Sequence, residues 1–391
     1  MNINELDPEV AKRIIEACAT GVPPEYGLEY FTAGLDEILK VVENRYLKDY
    51  IPKGGSAFKL VIAAYGQGKT HFLYCVRNLA WKYNFLVCYI SVSPNETPFH
   101  KIEEVYKSVI NSLSYPITVE DFLKGRVRNK GIDALLKVLY YKLEQDLKKK
   151  YDAKVSIRNY VNRIIGTYES ISFTNATRYA IISLFEKKIE DYNLILQWLK
   201  GENPDKRSLR KFNISEKVDR TTAPRLLRSL TLFAEDIGYS GLVLLIDELE
   251  PVSSLIRRSD RMKLLQNLRE LVDGCASGAF NKTLIFYATP DERPIDDYPA
   301  LKQRLQLEFD PVRNPLGARI YLEKLWKDSK KNLIEIGIKL ARIYMRAYEV
   351  EFDMHDVENK LEELLQGGRI TTKRDFIQKA IKIFNELAMS S

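Results

Sequence analysis

The stretch AAYGQGKTHFL, Ala63 to Leu73, closes a short apolar run with two glycines and then sets a lysine beside a threonine. A turn of backbone amides at a helix start, an ammonium group and a hydroxyl are what a polyphosphate requires. The spacing follows the phosphate-binding pattern G-x-x-x-x-G-K-[ST]. Gly68, Lys69 and Thr70 supply its end, and Ala63 stands where its first glycine belongs. Alanine adds one methyl there and is tolerated if the position does not need a positive φ. The amides from Gly66 to Thr70 are expected to line the loop, Lys69 to meet the outer phosphate oxygens, and Thr70 to ligate Mg²⁺. The nucleotide-contacting stretch runs through Tyr65, Gly66, Gln67, Gly68, Lys69, Thr70 and His71. Within it, His71 reads as packing or hydrogen-bonding locally rather than as a ligand.

A second set of residues lies in LVLLIDE, where Asp247 and Glu248 end a fully apolar run. Acids at the carboxyl end of a buried strand sit on the sheet edge where ligands bind. Asp247 is expected to hold Mg²⁺. Glu248, pointing to the other face of the strand, is expected to orient and deprotonate an attacking water. The plainer alternative is an acidic pair that caps the following helix. A third strand end, LIFYATPDERP, offers Thr289 as a sensor of the γ-phosphate or the water, or simply as a strand terminus. Glu250 reads as a helix-start residue and Trp198 as core.

These groups must be carried by a βαβ unit. AFKLVIAAY and FLVCYISVS have the length and character of buried strands, and the residues from Thr70 to Tyr83 between them have helical spacing. Two helices precede, one in residues 1–20 and one from Leu35 to Tyr50, separated by the breaker GVPP. From about Pro98 to Ala234 the pattern is largely helical, an insertion rather than a simple crossover. Beyond Pro315 it reads as helical to the end, with QGGRITT as the one clear break.

Bulk properties agree with a folded chain. Its 391 residues are 45% hydrophobic, enough for a large core. The apolar runs are too short to span a membrane, and MNINELDPEV has no signal-peptide character. Four scattered cysteines and three scattered histidines give no disulfide or zinc pattern and fit a reducing cytoplasm. Charge is concentrated: between Lys124 and Arg163 there are 12 Lys/Arg against 4 Asp/Glu, whereas the whole chain carries only +7. That segment is either a DNA-binding surface or a solvated helix face.

Taken together, GVPPEYGLEYFTAGLDEIL, YGQGKTHFL, SVSPNETPFHKIEEVY, LQWLKGE, GYSGLVLLIDELEPV, YPALKQRL and ITTKRDFIQKAI resemble the ATP-binding proteins of phage-exclusion (BREX) loci, of the BrxD type. This is a branch of the AAA+/STAND P-loop ATPases close to the origin-recognition type. The basic segment resembles that family least. The resemblance implies an α/β P-loop NTPase of AAA+ type: a parallel sheet with a large helical insertion and a C-terminal helical lid. It divides the chain into an N-terminal helical segment at 1–50, a core at 51–314 with the insertion at about 100–234, and a lid at 315–391. It implies ATP and Mg²⁺ as cofactors, ATP hydrolysis in phage defence, and work on DNA with a superfamily 2 helicase or another defence protein. A homo-oligomer is also implied, while the short apolar runs predict no membrane partner.

Residue by residue, the resemblance gives Lys69 and Thr70 to phosphate and metal, Asp247 to metal, Glu248 to water and Thr289 to the γ-phosphate. Arg374 in TTKRDF falls at the lid's sensor position. Arg304 in ALKQRL is the candidate finger toward a neighbouring subunit, with Arg293 and Arg319 competing. Two other readings stay open. One is an ATP-dependent protein-interaction switch with little turnover. The other is an origin-recognition-like DNA-binding initiator, for which about 75 residues after Pro315 leave little room.

Overall fold

A computed structural model describes residues 3–93, 97–117, 129–150, 156–248, 257–325, 329–368 and 370–390. Six strands form one sheet: β1 (Ser56–Ile62), β2 (Leu86–Val92), β3 (Leu113–Ser114), β4 (Leu242–Glu248), β5 (Thr283–Thr289) and β6 (Arg319–Tyr321). Their order is β3-β2-β4-β5-β1-β6. Every pairing is parallel except that of the two-residue β3 with β2. This mixed α/β architecture, with a glycine loop after β1, is a P-loop NTPase fold.

A parallel sheet covered on both faces explains the unbroken apolar runs of the sequence. Because side chains alternate along a strand, each run feeds two cores. Leu60, Leu244, Ile246, Ile285 and Tyr287 enter one of them. Val61, Val243, Leu245, Leu284 and Phe286 enter the other.

The first core is closed by the inserted helices: α4 (Ile102–Ser112), α5 (Ile132–Lys150), α6 (Ile157–Ile164), α7 (Ile171–Phe185), α8 (Ile189–Leu199) and α9 (Ala223–Asp236). The helix α10 (Arg258–Ala276) joins them. Trp198 is core as expected, 1% exposed with its indole N–H on the Glu216 carbonyl at 2.7 Å.

The second core joins both ends of the chain. It contains α1 (Pro8–Ala19), α2 (Asp36–Val41) with its π-helical continuation Val42–Tyr50, and α3 (Lys69–Lys82). It also contains α11 (Ser329–Tyr348), α12 (Met354–Gln366) and α13 (Lys373–Ser390). Asp7 caps α1 by accepting from the amides of Glu9 and Val10, and Pro8 opens the helix without losing a bond. On α13, Phe376, Ala380, Ile381 and Phe384 are buried on one face. Each buried Phe contributes roughly 1.5–3 kcal/mol.

The expectation of helix beyond Pro315 with a single break at QGGRITT is corrected here. β6 adds to the free edge of β1 at residues 319–321, and a second break falls between Tyr348 and Met354 with Glu349 at φ +55°. A three-residue strand is too short to leave a period in the sequence. No helix among the described residues is long and apolar enough to cross a membrane.

Candidate nucleotide site

The glycine loop leaves β1 at Ala63 and turns into α3. Ala63 is buried without a positive φ, so the methyl that replaces the pattern's first glycine costs no backbone strain. Gly68 immediately precedes α3 at φ +95°, where a side chain would be strained. The first amides of α3 have no acceptor within their own helix and lie at its positive end. Lys69 turns its ammonium onto the carbonyls of Ala63 (2.7 Å) and Ala64 (3.2 Å), 5.0 Å from the Tyr65 ring. Burial lowers the Lys69 pKa, while the charges of Asp247, Glu248 and Glu323 oppose that shift.

Two distant segments meet at this point. The Thr70 hydroxyl donates to Oδ2 of Asp247 at 2.6 Å. β4 lies one strand away from β1, with β5 between them, so α3 must cross over to β4 to make the contact. Asp247 faces the core that holds α3. Glu248, the next residue on the strand, faces the opposite core, where its charge acts on Tyr287. Burial, then the Glu248 charge, raises the Tyr287 pKa well above the ordinary phenol range.

A cavity of about 320 Å³ opens over the loop, lined by Tyr65 to His71, Asp247 and Glu248. Its far wall is apolar: Val22, Phe31 and Leu35 come from the N-terminal segment, Ile336 and Ile377 from α11 and α13. A polyphosphate end beside an apolar end is the shape of a nucleotide pocket. A hydroxyl and a carboxylate converging at 2.6 Å beside it are the hard oxygen donors that Mg²⁺ prefers. The residues therefore fit both groups.

The other expected residues divide. Arg374 is at the cavity: its amide donates to the Gly66 carbonyl at 3.3 Å and its side chain packs by Gly21. His71 lines the wall, but its half-buried ring is bonded to the Thr32 hydroxyl at 2.8 Å. Since Thr32 donates to the Leu28 carbonyl, Nε2 of His71 is the donor of that pair. Burial, aided by Lys373, holds the His71 pKa down to about 4, so the ring is neutral.

Thr289 ends β5 fully buried, its carbonyl accepting the Ala63 amide at 3.4 Å where the glycine loop begins. Its hydroxyl donates to the Asp291 carbonyl at 2.9 Å and accepts that residue's amide. Arg304 pairs with Asp273 and donates to the Ala300 carbonyl at 2.8 Å. Arg319 is buried against Glu292 and Asp296, which removes it as a finger. Arg293 grips Asp291 but keeps its side chain 84% exposed. Glu250 and residues 124–128 and 151–155 of the basic segment lie outside the described residues.

The sequence reading missed four participants. The 18–35 wall ends 28 residues before Ala63 in sequence, and only the resemblance marks it. Glu323 accepts the Ala64 amide at 3.1 Å from just beyond the unforeseen β6. Tyr89 donates to Asp247, and Tyr287 lies under the influence of the Glu248 charge. Strand alternation could have found both tyrosines had the strand order been known.

No curated protein and no solved structure matches the chain. Residues 6–390, which hold both walls of this cavity, match the family of the BREX system ATP-binding protein BrxC/D, and the chain belongs to that family.

Proposed function

We propose that this BREX ATP-binding protein is an Mg²⁺-dependent ATPase whose nucleotide state is read out through its C-terminal helices. The observation that carries the reading is the 2.6 Å contact of Thr70 with Asp247, with Glu248 next on the same strand. Lys69 exchanges its loop carbonyls for the outer phosphate oxygens, and Thr70 and Asp247 hold the metal. When bound there, Mg²⁺ would neutralise charge on those oxygens. Glu248 takes a proton from water as the water oxygen bonds to the γ-phosphorus. The bond to the bridging oxygen breaks, and ADP and phosphate leave. Arg374, on the first turn of α13, links loop and lid, and its permanent charge suits a reporter of phosphate state.

In this reading the protein acts in the cytoplasm on DNA, with a helicase or another defence protein and through neighbouring copies of itself. Support comes from the +8 net charge of residues 124–163 and from exposed Lys149, Arg158 and Arg163. Four free, buried cysteines agree with a reducing compartment. One observation favours the second reading, a nucleotide-gated protein switch. Lys130, Lys137 and Lys148 of that segment are each paired with an acid of the same chain, Glu25, Asp133 and Glu144.

ATP turnover measured with and without single- and double-stranded DNA separates the two. Hydrolysis that DNA accelerates, and that Lys69→Ala and Glu248→Gln both abolish, is the expected result. Turnover surviving both substitutions overturns the site. Turnover indifferent to DNA, with ATP-dependent partner binding, selects the switch.

A further inference from the structure

We infer that Tyr89 is a positioning residue for the metal-binding carboxylate of Asp247, fixed in turn by an aromatic stripe along α3. The inference rests on the reading that Thr70 and Asp247 hold Mg²⁺.

β2 and β4 pair in parallel, with Ser91 opposite Asp247 and Tyr89 opposite Leu245. Tyr89 and Asp247 therefore share a sheet face, two positions apart along the strands. The Tyr89 phenol donates to Oδ2 of Asp247 at 2.9 Å. This is the same oxygen that receives the Thr70 hydroxyl at 2.6 Å. One carboxylate oxygen is thus held from two elements, a helix and a neighbouring strand.

The two bonds differ in what metal binding does to them. To ligate a cation, the Thr70 hydroxyl presents an oxygen lone pair while its proton stays on Asp247, so its position answers to the metal as well as to the carboxylate. Tyr89 approaches from β2 and has no such duty. Its bond remains to fix the torsion of the Asp247 side chain.

The ring of Tyr89 is itself fixed. Tyr74 packs edge-on against it, with centroids 5.0 Å apart. The Arg77 guanidinium lies 4.3 Å from the Tyr74 ring, 4.8 Å from Trp81 and 5.7 Å from Tyr26. Thr70, Tyr74, Arg77 and Trp81 fall at i, i+4, i+7 and i+11, one stripe of α3. Arg77 is 4% exposed and donates to the Glu25 carbonyl and, at 3.2 Å, to Asn78. The helix that presents Thr70 to the metal site also braces the phenol that orients Asp247.

The test is Tyr89→Phe, which removes the hydroxyl and keeps the ring. A fluorescent non-hydrolysable ATP analogue is titrated in EDTA and again across a Mg²⁺ series. In EDTA the affinity stays within about 2-fold of wild type, while the Mg²⁺ concentration for half-maximal tightening rises about 10-fold, as expected on losing an outer partner of a metal ligand. An unchanged Mg²⁺ midpoint overturns the inference. So does an equal loss with and without metal, which marks a general structural role. Asp247→Asn in the same assay checks the foundation. If Mg²⁺ dependence survives that change, the metal site itself is misassigned, whatever Tyr89→Phe does.

Discussion

Gly66 and Thr372 approach so closely that a Cβ on Gly66 would lie 2.9 Å from the Thr372 Cβ. Gly66 also has φ +74°, and its carbonyl accepts the Arg374 amide. The Thr372 hydroxyl accepts the Asp375 amide at 3.1 Å, so the residue that meets the loop also caps α13. The loop and the last helix thus close on each other through a position that only glycine fills without strain.

Gly66→Ala is therefore expected to weaken nucleotide binding by tenfold or more. The positive φ alone costs about 1–2 kcal/mol, and the methyl pushes α13 away from the loop. Gly66 itself is half-buried on the loop and belongs to neither core, so thermal unfolding should fall by only a few degrees. Calorimetric titration with ATP and a melting curve measure the two effects. Wild-type affinity in the variant would disconnect the helix from the loop.

Much of this arrangement was legible in the sequence. β1, β2, β4 and β5 announce themselves because a parallel sheet buried on both faces demands uninterrupted apolar residues. The glycine loop and the acidic pair then fall at strand ends, and the fold brings Thr70 within hydrogen-bond reach of Asp247. What stayed hidden depends on tertiary placement. β6 is three residues long and pairs only with an edge. The Val22–Leu35 wall reaches the loop because α1 and α13 share a core, which no local period records. Thr289 occupies the expected strand end, yet its hydroxyl satisfies the turn that follows.

Lys59 gives the fold a pH dependence of definite sign. It is 3% exposed on β1, donating to the carbonyls of Gly317 (2.7 Å) and Leu316 (3.1 Å). Burial, with the Arg45 charge adding to it, pulls its pKa down to about 7. An unfolded lysine titrates near pH 10.4. Between about pH 7 and about pH 10 the unfolded chain binds the extra proton, so this residue makes stability rise with pH there. Below pH 7 the cost of burying the charge is present in full. Urea unfolding of wild type and Lys59→Met at pH 6.5, 8 and 9 should show a rise in wild type that the variant lacks. Parallel pH profiles would refute the assignment.

Lys373 predicts the opposite trend for ligand binding. Burial pulls its pKa down to about 7, against the pull of Glu323, and it lines the nucleotide cavity. A bound triphosphate favours the charged ammonium and raises that pKa again. Binding at pH 8 should then take up a proton, and ATP affinity should fall from pH 7 to pH 9. Titration calorimetry in buffers of different ionisation enthalpy reads the proton directly. Lys373→Met should bind more weakly, with no pH trend from this group. Proton release by wild type would contradict the placement of Lys373 beside phosphate.

The DNA half of the proposed function turns on which basic residues have charge to spare. Lys130, Lys137 and Lys148 are committed to acids of the same chain. Lys149 and Arg163 are exposed and are the better probes. If this face meets the phosphate backbone, log affinity falls linearly with log salt, and each lost phosphate contact flattens the slope by about 0.9 on duplex DNA. The pair Lys149→Glu and Arg163→Glu should weaken binding and reduce the slope by roughly 2, with ATP binding intact because neither residue lines the cavity. Fluorescence anisotropy with a labelled duplex between 50 and 300 mM salt provides the measurement. A slope unchanged by the double substitution would move DNA contact elsewhere on the molecule, and binding indifferent to salt would leave the basic helices as solvated surface.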